Sequence, residues 1–307
     1  MSSENFAEAI YIYKEQNSDR IRENARKIAS EKGDELNFKD FGIIDIIHPS
    51  GHKGLDLFLE KYEVKPEHRV FDIGCGVGGV SRYLAGTFGC NVHGLDYLDH
   101  YVDAAKEMTD LAKLGHKCEF YQGDITNYGI PDNHFDLALS IAVFLYIPGT
   151  DGFKTVFDSL KPGGLFYIED YMLTKPKEHV SQEDLENVDY VKMEGIRDRG
   201  LLCKDLESVG FEVARFEEYG REWSEYAWDR SERLIKHSLD PTLPDPDSEE
   251  LHTYGRLFPK ILRQLDHLSP QEIIRRWPIT SAEQNPEELV YQKEQFMTVM
   301  RVVARKP

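Results

Sequence analysis

The feature that constrains this chain most is the stretch from Arg69 to Gly79, which reads RVFDIGCGVGG. A short apolar segment runs into four closely spaced glycines, and the sequence then resumes with helical spacing at 80–84. Glycine adopts left-handed backbone angles at little cost and lets the backbone approach a ligand closely. A strand, a glycine turn and a helix in this order predict the opening of a nucleotide-type βαβ unit.

Apolar segments alternate with helical patterns along the rest of the chain. Further strands are predicted at 91–96, 118–124, 135–143, 165–170, 211–219 and 296–305. The run at 135–143 is continuously apolar, which is typical of a central parallel strand buried on both faces. Strands that alternate with helices predict an α/β fold, in which a doubly wound, mainly parallel sheet carries helices on both faces.

The composition of the chain indicates which classes of binding partner to expect. The formal net charge of −18 disfavours binding to nucleic acid, which needs clustered Lys and Arg. Four cysteines without metal-like spacing predict free thiols in a reducing compartment and no metal site. Neither a signal peptide nor a membrane-spanning run is visible. We therefore expect a cytoplasmic monomer or homodimer that acts on a small molecule, without a nucleic-acid or membrane partner.

Asp72 decides between two cofactor classes. The glycine spacing matches the dinucleotide fingerprint, but a carboxylate two residues before Gly74 would repel a pyrophosphate. S-adenosylmethionine (SAM) carries an ammonium and a sulfonium instead, which a carboxylate attracts. Asp72 to Gly78, DIGCGVG, closely resembles motif I of the class I SAM-dependent methyltransferases. That resemblance implies a Rossmann-like sheet of seven strands, closed by an antiparallel last strand, and SAM as cofactor.

Within the class, residues 36–219 resemble small-molecule methyltransferases of the phosphoethanolamine and sarcosine/dimethylglycine type. The segment IHPSG at 47–51 resembles the I-S-x-G-G segment that these enzymes place at the amino acid part of SAM. An acid at the end of the second strand is expected at the ribose and one after the third strand at the adenine. The resemblance implies a cofactor site formed by Ile47, His48, Asp72, Gly74, Cys75, Gly76, Gly78, Asp96, Tyr97, Asp124, Ile125, Ser140 and Ile141.

The acceptor side departs from that pattern. Phosphoethanolamine enzymes carry an aspartate and a histidine just after the fourth strand, where this chain has Ala142 and Tyr146. This departure predicts a more apolar and aromatic pocket and a different substrate. Tyr146 and His48 are the candidate catalytic residues, Tyr146 as a positioning group and His48 as a candidate base. The candidate substrate-binding residues are Phe41, Tyr146, Tyr171, Arg197, Trp223 and Tyr226.

The expected organisation has four parts. Residues 1–51 form an N-terminal helix and a segment that covers the cofactor, and 52–219 form the SAM-binding core. Residues 220–292 form a helical lid insertion, and 293–307 supply the last core strand.

The leading functional hypothesis is a SAM-dependent methyltransferase that acts on a small molecule, with an amine nitrogen as the favoured acceptor. The alternatives are transfer to oxygen, sulfur or carbon of a small metabolite, and a catalytically silent SAM-binding module. An NAD-dependent oxidoreductase is the remaining alternative, and Asp72 argues against it.

Overall fold

The computed structural model describes residues 18–45, 52–182, 185, 193–220 and 296–307. Several predictions concern residues outside these ranges: the start of the N-terminal helix, the cofactor residues Ile47 and His48, and the substrate residues Trp223 and Tyr226. The helical lid expected at 220–292 also lies outside them, apart from its first residue. These interpretations therefore stay predictions from the sequence.

The described residues form a sheet of seven strands with flanking helices. The strands are β1 (Arg69–Ile73), β2 (Asn91–Asp96), β3 (Cys118–Gln122), β4 (Phe135–Ile141), β5 (Leu160–Leu173), β6 (Glu212–Glu218) and β7 (Met297–Arg305). The α-helices are α1 (Ser18–Lys32), α2 (Lys53–Leu59), α3 (Gly79–Phe88), α4 (Asp99–Leu111), α5 (Asp151–Ser159) and α6 (Arg199–Ser208). Short 3-10 segments include Phe38–Asp45 and Phe144–Tyr146.

The strand order is β3-β2-β1-β4-β5-β7-β6. Strands β1 to β5 pair in parallel, and β7 runs antiparallel to both β5 and β6. This arrangement confirms the predicted doubly wound, mainly parallel α/β sheet. The chain moves outward from β1 to β3 and then returns to place β4 on the other side of β1. Ligands bind such sheets outside the carboxyl ends of the strands at this reversal point.

Two apolar clusters cover the two faces of the sheet. One joins Phe71 of β1 to Phe153 of α5, and the other joins Val70 of β1 to Leu84 of α3. Neighbouring residues of a strand point to opposite faces, so β1 contributes to both clusters. The carboxyl end of β1 is consequently fixed between two packed layers, which gives the glycine turn a rigid base.

Several element boundaries differ from the sequence-based prediction, most of them by one or two residues. Strand β5 begins at Leu160, before the predicted start at 165, because Leu160 pairs with Phe135 of β4, and the Gly163 amide that follows donates to the Lys306 carbonyl at 2.7 Å. The sequence predicts a helix over 98–115, but α4 ends at Leu111, two residues before a left-handed Lys113. Helix α2 ends at Leu59, whereas the sequence predicts a helix over 54–64.

Candidate active site at the carboxyl ends of the strands

The glycine turn after β1 needs glycine for its backbone path. Gly74, Gly76 and Gly78 have φ angles of 70°, 52° and 82°, which side chains disfavour. A Cβ added at Gly74 would lie 2.2 Å from Cγ2 of Val143, which follows β4. The turn is thus packed against the segment after β4, and the predicted glycine residues of the cofactor site lie at the reversal point of the sheet.

Asp96 at the end of β2 holds the turn in place. Its Oδ2 accepts a hydrogen bond from the Gly76 amide at 2.8 Å, and its Oδ1 accepts from the Leu98 amide at 2.9 Å. Burial raises the pKa of Asp96 to about 6, against the lowering effect of the backbone donors. The structure therefore brings two predicted cofactor residues, Asp96 and Gly76, into direct contact.

Asp72 is buried at the base of the same turn. Its Oδ2 accepts a hydrogen bond from Ser81 Oγ at 2.5 Å. Burial raises the pKa of Asp72 to about 7, the Ser81 hydroxyl opposes this, and the nearby Asp96 carboxylate adds to it. Two buried carboxyl groups thus adjoin the glycine turn, and each has a pKa close to neutrality, so a cationic ligand would favour their ionised forms.

Replacing Asp72 with asparagine is expected to change stability in a pH-dependent way. The folded protein keeps a proton on Asp72 that the unfolded chain releases, so the free energy of unfolding falls as the pH rises from 3.8 to about 7. Asparagine stays neutral and can still accept from Ser81. Thermal denaturation should therefore show Asp72→Asn gaining stability relative to wild type as the pH rises from 3.8 to about 7. A difference that does not vary with pH would contradict a protonated buried carboxyl.

The next strand ends carry the other predicted cofactor residues. Ser140, near the end of β4, is fully buried, and its Oγ has no hydrogen-bond partner among the described residues. Ile141 ends the strand half-buried. After β3, Asp124 Oδ1 accepts from the Thr126 amide and hydroxyl at 2.9 and 2.8 Å, and Ile125 packs into the core. An unpartnered buried hydroxyl at this edge is consistent with a site that a polar ligand completes.

Two further residues predicted for the cofactor site lie beside or within the glycine turn. Tyr97 follows Asp96 and is half-buried. Cys75 lies inside the turn, and burial raises the pKa of its thiol, so it is a neutral packing group. All four cysteines of the chain are free thiols, as predicted.

The segment after β4 carries Tyr146 and is held by a hydrogen bond to a side chain of β5. Asp170 Oδ2 accepts from the Leu145 amide at 2.9 Å, and its Oδ1 accepts from the Tyr171 amide at 2.9 Å. Tyr146 is half-buried and Tyr171 is 8% exposed. One buried carboxyl group therefore ties together the segments that carry both candidate tyrosines.

Arg197 has a different role from the predicted one. Nη1 donates to the carbonyls of Phe144 and Gly195, and Nη2 donates to those of Ile147 and Gly149. Nε donates to Asp205 Oδ2 at 2.7 Å. These contacts use all five N–H groups of the guanidinium. The prediction that Arg197 binds substrate is therefore corrected: this residue holds the backbone that carries Tyr146.

Phe41 is also placed differently. It is 1% exposed and packs in a core cluster with Val77 and Tyr101, and its ring lies 5.6 Å from the Arg82 guanidinium. A ring so enclosed is part of the core of the described protein, so the expectation of a substrate contact is not supported by its surroundings.

Sequence reasoning missed residues that shape the site indirectly. Ser81 donates to Asp72 near the end of β1, Arg82 donates to the glycine turn, and Asp170 accepts from the segment after β4. Only Arg82 left a signal in the sequence, because it is the one charged residue in the otherwise apolar or small helix GVSRYLAGTF.

The described residues contain neither a cluster suited to a metal ion nor a helix suited to span a membrane. Among them, no group of three or more His, Cys, Asp or Glu side chains is arranged to hold a metal ion. No helix in the same part of the chain is long and apolar enough to cross a membrane.

Comparison with known proteins agrees with this geometry. Residues 70–164 match the family model described as Methyltransferase domain. The chain is 30% identical over 173 residues to sterol 24-C-methyltransferase of Yarrowia lipolytica. The aligned region covers 55% of this chain and 45% of that protein. It is also 30% identical over 221 residues to phosphoethanolamine N-methyltransferase 1 of Arabidopsis thaliana, covering 66% of this chain and 43% of that one.

A solved structure shares the fold. Phosphoethanolamine N-methyltransferase 2 of Haemonchus contortus, in complex with phosphomonomethylethanolamine and S-adenosylhomocysteine, superposes with a TM-score of 0.64 at 21% identity. The match covers 86% of this chain and 54% of that one. The chain spans less than half the length of the two curated relatives named above. Its residues 70–164 are thus similar to a methyltransferase domain, and the chain shares the Rossmann-like fold of that solved methyltransferase.

Proposed function

We propose that this protein is a SAM-dependent methyltransferase that acts on a small molecule. The observation that carries the proposal is the left-handed glycine turn at the sheet's reversal point, bordered by the buried carboxyl groups of Asp72 and Asp96. A dinucleotide would set its pyrophosphate against those carboxyl groups, whereas SAM would set cationic groups there. The methyltransferase relatives support the same choice.

The residues present fit SAM. The three left-handed glycines leave room for close approach of a ligand, and the buried Ser140 hydroxyl lacks a partner among the described residues. Asp96 would accept from the ribose hydroxyls, Tyr97 would stack on the adenine and Asp124 would accept from its amino group. Asp72, Gly74, Cys75, Gly76, Gly78, Ile125, Ser140 and Ile141 would border the cofactor, together with Ile47 and His48 of the preceding segment.

When bound, SAM supplies a methyl group on a sulfonium, which a nucleophile attacks in line. The residues of this chain align the acceptor and exclude water, because methyl transfer depends mainly on positioning. Tyr146, on a segment held by Asp170 and Arg197, would orient the acceptor by a hydrogen bond. Tyr171 borders the same edge of the sheet. Trp223 and Tyr226 would add aromatic rings that contact a cationic acceptor or stack on an aromatic one.

An amine nitrogen is the acceptor that we favour. The net charge of −18 and the tyrosines at the acceptor side suit a basic substrate, and an amine needs only to arrive deprotonated. Transfer to carbon is the second candidate. Two observations favour it: the half-buried apolar run Ile141, Ala142 and Val143, and the similarity to a sterol C-methyltransferase. We further propose that the protein works in the cytoplasm as a monomer or homodimer.

Isothermal titration with SAM, S-adenosylhomocysteine and NAD tests the cofactor assignment. We expect SAM to bind with a dissociation constant on the order of micromolar, and NAD not to bind. NAD binding without SAM binding would support an oxidoreductase and contradict the proposal.

Asp96→Ala is expected to weaken SAM binding by ~1–3 kcal/mol. It removes the charge-assisted acceptor for the ribose and also releases the Gly76 amide. Titration calorimetry of the folded variant measures the change. Asp99→Ala, an exposed acid at the start of α4, is the matched control and should bind SAM like wild type. Equal affinity of the Asp96 variant and wild type would contradict the ribose assignment.

A further inference from the structure

Arg82 is a buried charge in an apolar helix. It is 0% exposed and lies on α3, directly after the glycine turn. Arginine is almost never fully buried unless its charge is paired and its donors are used. The groups that contact the Arg82 guanidinium therefore indicate the role of its charge.

The guanidinium joins three separate parts of the fold. Nη2 donates to the Val77 carbonyl of the glycine turn at 2.6 Å and forms an ion pair with Asp45. Nη1 donates to Thr109 Oγ1 at 2.8 Å and to the Ala105 carbonyl at 3.2 Å, both on α4. One cation thus connects the glycine turn, helix α4 and the 3-10 segment Phe38–Asp45.

The same face of α3 is shaped to receive that 3-10 segment. Gly79, Arg82 and Gly86 are spaced i, i+3 and i+7, so they lie on one side of the helix. A Cβ at Gly79 would lie 1.8 Å from the Asp45 carbonyl oxygen, and one at Gly86 would lie 2.3 Å from the Phe38 ring. The segment therefore lies directly on α3, and its contact with Arg82 is close and specific.

A contribution to the stability of the fold does not by itself explain why this ion pair is buried here. Replacing a buried ion pair by apolar residues of similar volume is often neutral or stabilising, whereas removal of one partner is strongly destabilising. An apolar pair would fill the same space between α3 and the 3-10 segment. It would not hold the Val77 carbonyl, and Val77 lies between Gly76 and Gly78 in the turn.

We propose that Arg82, oriented by Asp45, is a positioning residue that fixes the glycine turn in the geometry that binds the cofactor. Asp45 and Thr109 orient the guanidinium, and the guanidinium holds the turn through Val77. The inference rests on the proposed function, because it assigns a role in SAM binding to a residue outside the cofactor contacts.

The test separates stability from affinity in four proteins. They are wild type, Arg82→Met, the double variant Arg82→Met with Asp45→Leu, and the control double variant Lys154→Met with Asp158→Leu. The control replaces an exposed ion pair of 2.7 Å on α5 in the same way. Melting temperature reports stability, and titration with S-adenosylhomocysteine reports affinity.

We expect Arg82→Met to lower the melting temperature, because it leaves Asp45 buried without its partner. The buried double variant should recover most of that loss, yet bind S-adenosylhomocysteine about tenfold or more weakly than wild type. The control should match wild type in affinity. Recovery of both melting temperature and affinity in the buried double variant would overturn the proposal, because the pair would then be structural only.

Arg82→Lys and Thr109→Val keep the test decisive if the methionine variants fail to fold. Lysine retains the charge beside Asp45 but cannot reach all the acceptors of a guanidinium, and valine removes one of those acceptors. Weaker S-adenosylhomocysteine binding in these variants supports the proposal, and wild-type affinity in both overturns it. A wild-type protein that binds no S-adenosylhomocysteine contradicts the proposed function itself, which is a separate outcome.

Discussion

Gly76→Val is expected to abolish SAM binding while leaving the sheet folded. Gly76 has a φ of 52°, which a β-branched side chain disfavours strongly, and its amide donates to Asp96. A valine at this position would push the turn out of its path and place a side chain where the cofactor approaches. Gly74→Val should have the same effect on binding, but its clash with Val143 also disturbs the packing between β1 and β4.

Titration with SAM, together with circular dichroism to verify folding, measures this effect. Gly129→Val is the matched control, because Gly129 is exposed and nothing lies within 4 Å of a Cβ built there. The control should bind SAM as wild type does. SAM affinity retained in a folded Gly76→Val protein would contradict the assignment of the glycine turn as the cofactor site.

Tyr146→Phe is expected to slow turnover by roughly 10- to 1000-fold, because one orienting hydrogen bond is worth ~1–3 kcal/mol or somewhat more in a dry site. The segment that carries Tyr146 is held by Asp170 and Arg197, so loss of the hydroxyl should leave the backbone unchanged. The measurement is kcat at saturating SAM, with SAM affinity as the internal control. A variant with wild-type kcat would remove Tyr146 from the mechanism.

His48→Ala separates a nitrogen acceptor from an oxygen acceptor. If the acceptor is an amine, the rate should rise with pH as the amine loses its proton and then level off, and the loss of His48 should cost less than a general base contributes, typically ~10²–10⁴-fold. A methyl ether as product, with activity abolished in His48→Ala while SAM still binds, would instead make His48 the base of an O-methyltransferase.

The sequence predicted the fold because its signals are local. The glycine turn after β1, the continuous apolar run that became β4 and the alternation of strands with helices each follow from short stretches of chain. Strand β2 begins and ends at the predicted residues. A boundary set by pairing with another strand could not be predicted in this way: β5 extends back to Leu160, which pairs with Phe135 of β4.

The sequence predicted residues of the candidate site only where a recognisable motif lies at the end of a strand. Asp96 and Gly76 lie twenty residues apart and meet because β1 and β2 are neighbours in the sheet. Arg197 illustrates the opposite case. The sequence predicts a substrate contact for it, and only the folded chain shows that its five donors are used by Asp205 and four backbone carbonyls.

Methyl transfer from SAM carrying a deuterated methyl group tests the central claim most directly. The protein would be incubated with this donor and small-molecule acceptors, including amines, phenols, thiols and apolar alkenes, and with a metabolite extract of the source cells. Mass spectrometry should detect S-adenosylhomocysteine and an acceptor that carries the labelled methyl group, and both should be absent with Gly76→Val. Wild-type protein that binds SAM, yet forms neither product above the level of Gly76→Val, would contradict a methyltransferase and identify a silent SAM-binding module.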